Sequence, residues 1–184
     1  MFRDNSLVPT EAIRLAALGL LAEEPLRYAD LAGKIRHFTA RIVGPSLELM
    51  GTSLELLRYE ELVEAVDGSG MVDNSLLRIT PAGRDTLSKL LGAGLRAPNG
   101  EINKLVLALK LRFLHLLPPA ERAEQIDVIA EWLEGEIARL DDLRRSDEAD
   151  GSGLFQGWLD QDIGQARARL SWLESQRASL LAEL

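Results

Sequence analysis

Nine residues, Leu76-Leu-Arg-Ile-Thr-Pro-Ala-Gly-Arg84, restrict the fold more than any other stretch of this chain. A β-favouring run halts at Thr80-Pro81, and a helical pattern starts at Ala82 and continues through Asp85-Thr-Leu-Ser-Lys-Leu-Leu91. Thr80 offers an N-cap oxygen, and Pro81 suits a first helical turn, where its missing N–H goes unused. A returning strand that feeds directly into a capped helix is the closing element of a winged helix-turn-helix, which predicts a nucleic-acid-reading fold.

The pattern before it agrees. Pro9-Thr10-Glu11 opens a first helix, with Thr10 as its cap, that carries Ile13, Leu15, Ala16, Leu18, Leu20 and Leu21 and stops at Glu23-Glu24-Pro25. A second opens at Leu26–Asp30 and aligns Leu31, Ile35 and Phe38. Gly44-Pro45-Ser46 predicts a turn with a capping serine, followed by a third helix on Leu47, Met50, Leu54 and Leu57. Leu62–Val66 and Ser75–Thr80 read as the two strands of a wing joined by a loop at Asp67-Gly-Ser-Gly70.

Beyond a Gly/Pro/Asn-rich stretch the chain is almost entirely helical. Glu101–Leu117 is amphipathic, Pro118-Pro119 breaks it, and long seams follow from Ala120 to about Arg145 and from about Leu154 to Leu184. Seams of that length need a surface to bury them. The expected fold is mostly α: a winged helix with a two-stranded wing over residues 1–92, a linker over 93–100, and a helical dimerisation domain over 101–184.

Composition narrows the function. Hydrophobic residues make up 46% of the chain, enough for a genuine core, and the absence of cysteine excludes disulfides and thiolate metal sites. The start of the chain carries no secretory pattern and no stretch has the apolar length of a membrane span, so a cytoplasmic protein without membrane contact is expected. Net charge is −8, with −3 in residues 1–94 and −5 in the remainder. DNA binding therefore requires a local basic patch on an acidic body. Two distant histidines, no nucleophilic cysteine and no phosphate-binding glycine loop speak against an enzyme. Asp127, Glu131 and Glu134 share a helix without a histidine beside them, so no metal and no cofactor are expected.

The motifs, taken in order, resemble the PadR family of bacterial transcriptional regulators, in the branch with a long helical C-terminal domain typical of virulence-activator members. Leu18-Gly-Leu-Leu-Ala-Glu-Glu-Pro-Leu26 is similar to the family's first helix, Leu62-Val-Glu-Ala65 to the start of its wing, and Leu77–Arg84 to the wing-closing motif. Leu111–Glu121 looks like the branch's helix break, and Ala168-Arg-Leu-Ser-Trp-Leu-Glu174 like its terminal Trp-Leu helix. The chain departs from the pattern at Gly51-Thr-Ser-Leu-Glu-Leu-Leu57, which lacks the usual tyrosine. It departs again at Glu61, where a glycine normally precedes the wing, and at Gly70–Ser75, which offers no cation. The resemblance implies a homodimer that binds double-stranded operator DNA, an inverted repeat, with an aromatic effector as a further option.

The residues suggest where. Lys34, Arg36, His37 and Arg41 crowd into eight positions of the second helix and form the best phosphate-contacting group. Ser46, Thr52, Ser53 and Arg58 lie on or beside the third helix, where small polar residues can approach base edges, and Arg78 adds a cation from the wing. Phe113 and Trp132 are candidate stacking surfaces for an effector. Leu105, Leu109, Phe113, Trp158, Leu170, Trp172 and Leu173 are candidate dimer-interface anchors. A competing expectation keeps the fold without DNA reading. Glu48 and Glu55 on the would-be reading face, and the uncharged wing tip, would then suit a protein-interaction adaptor.

Overall fold

A computed structural model describes residues 9–43, 50–66, 75–95, 101–147 and 153–182. The elements run α1 (Pro9–Glu23), β1 (Leu26–Arg27), α2 (Tyr28–Ile42), α3 (Met50–Tyr59), β2 (Val63–Ala65), β3 (Leu76–Ile79), α4 (Pro81–Gly92), α5 (Glu101–Phe113), a 3-10 turn over Leu114–Leu116, α6 (Pro119–Asp147) and α7 (Gly153–Ala182). The expected winged helix with a helical C-terminal region is present. Because α1 begins at Pro9, Thr10 lies within the helix rather than capping it. The capping Ser46, Leu47, Glu48 and the hairpin loop at Asp67–Gly70 lie outside the described residues.

The sheet holds one strand more than the pattern predicted. Leu26–Arg27 is too short to register as a period-2 alternation, yet it pairs antiparallel with β3 (Leu26 opposite Leu77) and gives the order β1-β3-β2. The amide of Tyr28 extends this ladder to the Ser75 carbonyl at 3.0 Å. On the other edge Val63, Glu64 and Ala65 face Ile79, Arg78 and Leu77.

At the centre of this unit is α1. Ala12, Ile13, Leu15, Ala16, Ala17 and Leu18 are all buried, so the helix has almost no wet side. A helix apolar all round must be surrounded, and α1 packs against α2, α3, α4, α5 and β3. The chain divides into two compact units, and α5 belongs to the first, with the division after Leu117 rather than at residues 93–100. The physical reason is Gly19. A Cβ there would stand 2.5 Å from the Phe113 ring, so the glycine opens the slot on α1 that Phe113 fills. Leu105, Leu109 and Phe113 are consumed by this core.

Two local devices hold the wing in place. The end of α3 is a Schellman turn: Leu62 N–H donates to the Leu57 carbonyl at 2.8 Å and Glu61 N–H to that of Arg58 at 2.9 Å. The turn requires a left-handed residue, and Glu61 supplies it with φ 58°. Thr80 then clamps the same corner. Its N–H reaches the Leu62 carbonyl at 3.1 Å, its hydroxyl donates to the Glu61 carbonyl at 2.7 Å, and that oxygen accepts from Gly83 N–H at 3.0 Å as the N-cap of α4. Gly83 has no alternative, since a Cβ would lie 2.1 Å from the Leu62 carbonyl oxygen.

Lys110 of α5 is buried, and its ammonium donates to the Leu91 carbonyl in the last turn of α4. Burial pushes its pKa down from 10.5 to about 8.

The second unit is an antiparallel helical hairpin. Ala123, Ile126, Ile129 and Leu133 of α6 and Leu159, Ile163, Ala166 and Leu173 of α7 are buried. The register is marked by Arg144–Asp160 at 2.5 Å, Asp141–Arg167 at 2.8 Å and Asp127–Arg177 at 2.5 Å. These pairs are solvent-exposed to varying degrees, so they set register more than stability.

Glu61→Gly relieves the left-handed strain and should raise unfolding stability by about 1 kcal/mol. Gly83→Ala should cost about 3 kcal/mol through backbone overlap. Denaturant unfolding of both variants checks the pair, and a neutral Gly83→Ala would contradict the clamp. For Lys110, the depressed folded pKa means that the unfolded chain binds the proton more tightly. This lysine's contribution therefore costs about 3 kcal/mol below pH 8 and improves as pH rises from about 8 towards 10.5. The melting-temperature difference between wild type and Lys110→Met should shift in favour of wild type across that span; a flat difference would refute it.

Candidate nucleic-acid interface

The helix α2 buries Leu31, Ile35 and Thr39 and leaves its cations outside. Lys34, Arg36, His37 and Arg41 are all exposed. At about 100° per residue, Lys34, His37 and Arg41 line one side of the helix, whereas Arg36 points the other way. Their local partners are mild. Lys34 pairs with Glu24 at 2.8 Å, and Arg41 donates to the His37 ring at 2.7 Å. The first is a solvated ion pair between long side chains, which a phosphate can displace at little cost. Lys34, His37 and Arg41 therefore form one contiguous polar group, with Arg36 apart from it, on a helix whose buried face is locked into the core.

The third helix is less simple. Leu54 and Leu57 are buried, as the spacing predicted, and Glu55, Leu56, Arg58 and Tyr59 face outward. Thr52 and Ser53 are on α3, but their side chains lie outside the described residues, as does Ser46 entirely. Tyr59, 87% exposed at the helix end, was not singled out by sequence reasoning. The only available signal was its position just after the buried Leu57, because a lone aromatic at a helix terminus carries no periodicity. Arg58 lines a broad, open concavity beside the wing together with Glu60, Glu61 and Glu64. Arg78 stands directly across the strand pair from Glu64 and donates to it at 2.7 Å, so much of its charge is met within the wing.

The remaining candidates separate. Leu105, Leu109 and Phe113 are buried inside the first unit and Leu173 inside the α6–α7 seam, where they pack against their own chain rather than a partner. Leu170 is half-buried. Trp158 and Trp172 are about half exposed and still free to meet another surface. Phe155 stacks on Trp158 with ring centres 5.8 Å apart. Trp132 is half-buried on α6. Phe113 borders a small cavity in the first unit, which also contains a residue sequence reasoning passed over, Arg112. Among the described residues no cluster of metal-ligating side chains is found, and no helix is long and apolar enough to cross a membrane.

Residues 2–177 match the family model described as "Putative AphA-like transcriptional regulator". The chain belongs to this family. A family of transcriptional regulators is in line with the motif resemblance. Solved structures similar to it include PadR from Bacillus subtilis in complex with p-coumaric acid, at 18% identity over 95% of this chain and 98% of that one, with a TM-score of 0.40. The PadR-like regulator BC1756 from Bacillus cereus is 17% identical over 94% and 99%, with a TM-score of 0.41. Bacillus subtilis PadR in complex with operator DNA is 18% identical over 91% and 98%, with a TM-score of 0.37. No curated protein matches this sequence.

Proposed function

We propose that this AphA-like regulator is a homodimer that binds double-stranded operator DNA through its winged-helix unit, with α2 gripping the phosphate backbone and α3 presented to the major groove. The observation that carries this reading is the cationic side of α2. Lys34, His37 and Arg41 project together from an otherwise acidic protein, on a helix fixed by Leu31 and Ile35. Such a group cannot supply sequence specificity, because phosphate contacts position a protein and base contacts specify. Specificity falls to α3, with Thr52, Ser53 and Arg58 as its proposed readers and Glu55 able to accept from cytosine N4. Arg36, Ser46 and Arg78 remain secondary proposed contacts, with Arg78 the weakest because Glu64 already holds it.

Dimerisation is supported by the apolar surface of the hairpin. Leu154 is 88% exposed, Trp158 53% and Trp172 49%. Half-exposed tryptophans are anchors in search of a surface, and a second copy supplies one by two-fold symmetry, matching an inverted-repeat operator. The exposed Leu56 and Tyr59 beside Glu55 favour a second reading, a winged helix that grips a protein instead of DNA.

Anisotropy titrations against DNA from the protein's own promoter region should show specific binding that weakens steeply with salt. Lys34→Glu with Arg41→Glu should weaken it across all sequences and reduce the salt slope by about two. A folded dimer with no affinity at low salt would reject the DNA reading in favour of the adaptor. Trp158→Glu with Trp172→Glu should convert the dimer to monomer in light scattering while leaving the helical signal intact. A variant that stays dimeric would place the interface elsewhere.

A further inference from the structure

We infer that Asp162 and Arg169 are the residues by which α7 selects a second copy of itself, in one antiparallel register centred on Gln165. This rests on the dimer reading above, and adds to it the geometry of the contact and the residues that choose the partner.

The distribution of charge around α7 carries the inference. Leu159, Ile163, Ala166 and Leu173 form the strip that packs on α6. Beside that strip Asp160, Arg167 and Arg177 are held by Arg144, Asp141 and Asp127 of the same hairpin. At about 100° per residue the strip facing away holds Trp158, Gln161, Gln165, Ala168, Trp172 and Ser175. All six are exposed and none is charged. In a chain with 27% charged residues, an exposed strip that stays uncharged over about 25 Å has the character of an interface centre, from which charge is depleted. Gly157 and Gly164 border it. An interior helical glycine is destabilising relative to alanine. Apart from the helix's own backbone, nothing among the described residues lies within 4 Å of where a Cβ would stand at either. Their own hairpin makes no use of that space, whereas a second helix crossing there would.

Asp162 and Arg169 lie on the other border, seven residues apart and so nearly in line. Among the described residues neither is part of an ion pair, in contrast to Asp160, Arg167 and Arg177. Their placement is self-complementary. When two helices pack antiparallel about a two-fold axis, positions equidistant from the crossing point face each other, and the same border of each helix meets. Gln165 is midway between Trp158 and Trp172, and Asp162 and Arg169 straddle the same point to within a residue. One crossing therefore sets Trp158 against Trp172 of the second copy and Asp162 beside its Arg169, each contact made twice. A slide of one turn in either direction breaks both sets together. A parallel pairing would instead set Asp162 level with Asp162 and Arg169 level with Arg169. Exposed pairs of this kind add little affinity and much discrimination, because a partner with like charges at these positions is repelled.

Sedimentation equilibrium of the full chain tests this by charge reversal. Asp162→Arg and Arg169→Asp should each weaken self-association about tenfold, because every such contact becomes like against like. Mixed in equal amounts, the two variants should form heterodimers above the statistical share, since all contacts are again opposite in sign. That excess should fade at high salt. Both changes on one chain should restore wild-type association. Because the chain has no cysteine, a disulfide reads the register independently. Gln165→Cys, at the crossing point, should crosslink under mild oxidation, whereas Ser175→Cys, about 15 Å along the helix, should not. Charge variants that associate like wild type, a statistical mixture, no crosslink at Gln165→Cys or a crosslink at Ser175→Cys would each overturn the inference while leaving the dimer standing. A wild-type chain that sediments as a monomer would overturn it together with the dimer reading, so the two failures are distinct.

Discussion

The contact on which the winged helix depends is the meeting of Thr80 and Gly83 with the corner at Glu61-Leu62. Three hydrogen bonds from one threonine tie the end of β3, the start of α4 and the end of α3 to one point. The missing side chain of Gly83 lets the α4 backbone rest on the Leu62 carbonyl. Backbone donors and acceptors that would otherwise be orphaned at two helix ends satisfy each other here. Because α3 leaves this corner in a fixed direction, so does whatever its outward side chains meet. The outward face of α3 is aimed by a junction that contributes no side chain to it.

A second constraint acts through α1 and α5. The first helix is apolar on most of its circumference and needs an enclosing shell, and α5 completes that shell by sending Phe113 to the gap at Gly19. Lys110 adds a polar tether from the same helix to the end of α4. A helix that belongs by sequence position to the C-terminal half is thereby built into the winged-helix unit. Its final turn also places Arg112 over the two phenylalanines, so one packing solution builds both the core and a wall of the small cavity beside it.

The charge pattern divides the work among the helices. On an acidic chain, α2 carries the contiguous cations, whereas the wing spends Arg78 on Glu64 and α3 exposes Glu55 and Tyr59 alongside Arg58. If the proposed function holds, a reader organised this way would rely on a few phosphate contacts more than on a broad basic surface.

Much of this was legible in the sequence, for local reasons. The cap at Thr80, the proline after it, the 3.6-residue spacing of Leu54 and Leu57 and the cations of α2 all act over a few residues, and pattern alone reveals them. The glycine expected at Glu61 marked a left-handed turn that the structure contains, with the glutamate bearing the strain. What only the tertiary structure decided involves residues far apart in the chain. Two residues, Leu26 and Arg27, cannot declare a strand without β3 beside them. An amphipathic α5 looks the same whether it faces its own core or a partner, so Leu105, Leu109 and Phe113 read as interface until the core around α1 took them in, with Gly19 as the slot for Phe113. Arg112 was one charge on a helix until Phe38 of α2 came beneath it alongside the adjoining Phe113. Sequence determines which face of an element is apolar; the fold determines what that face meets.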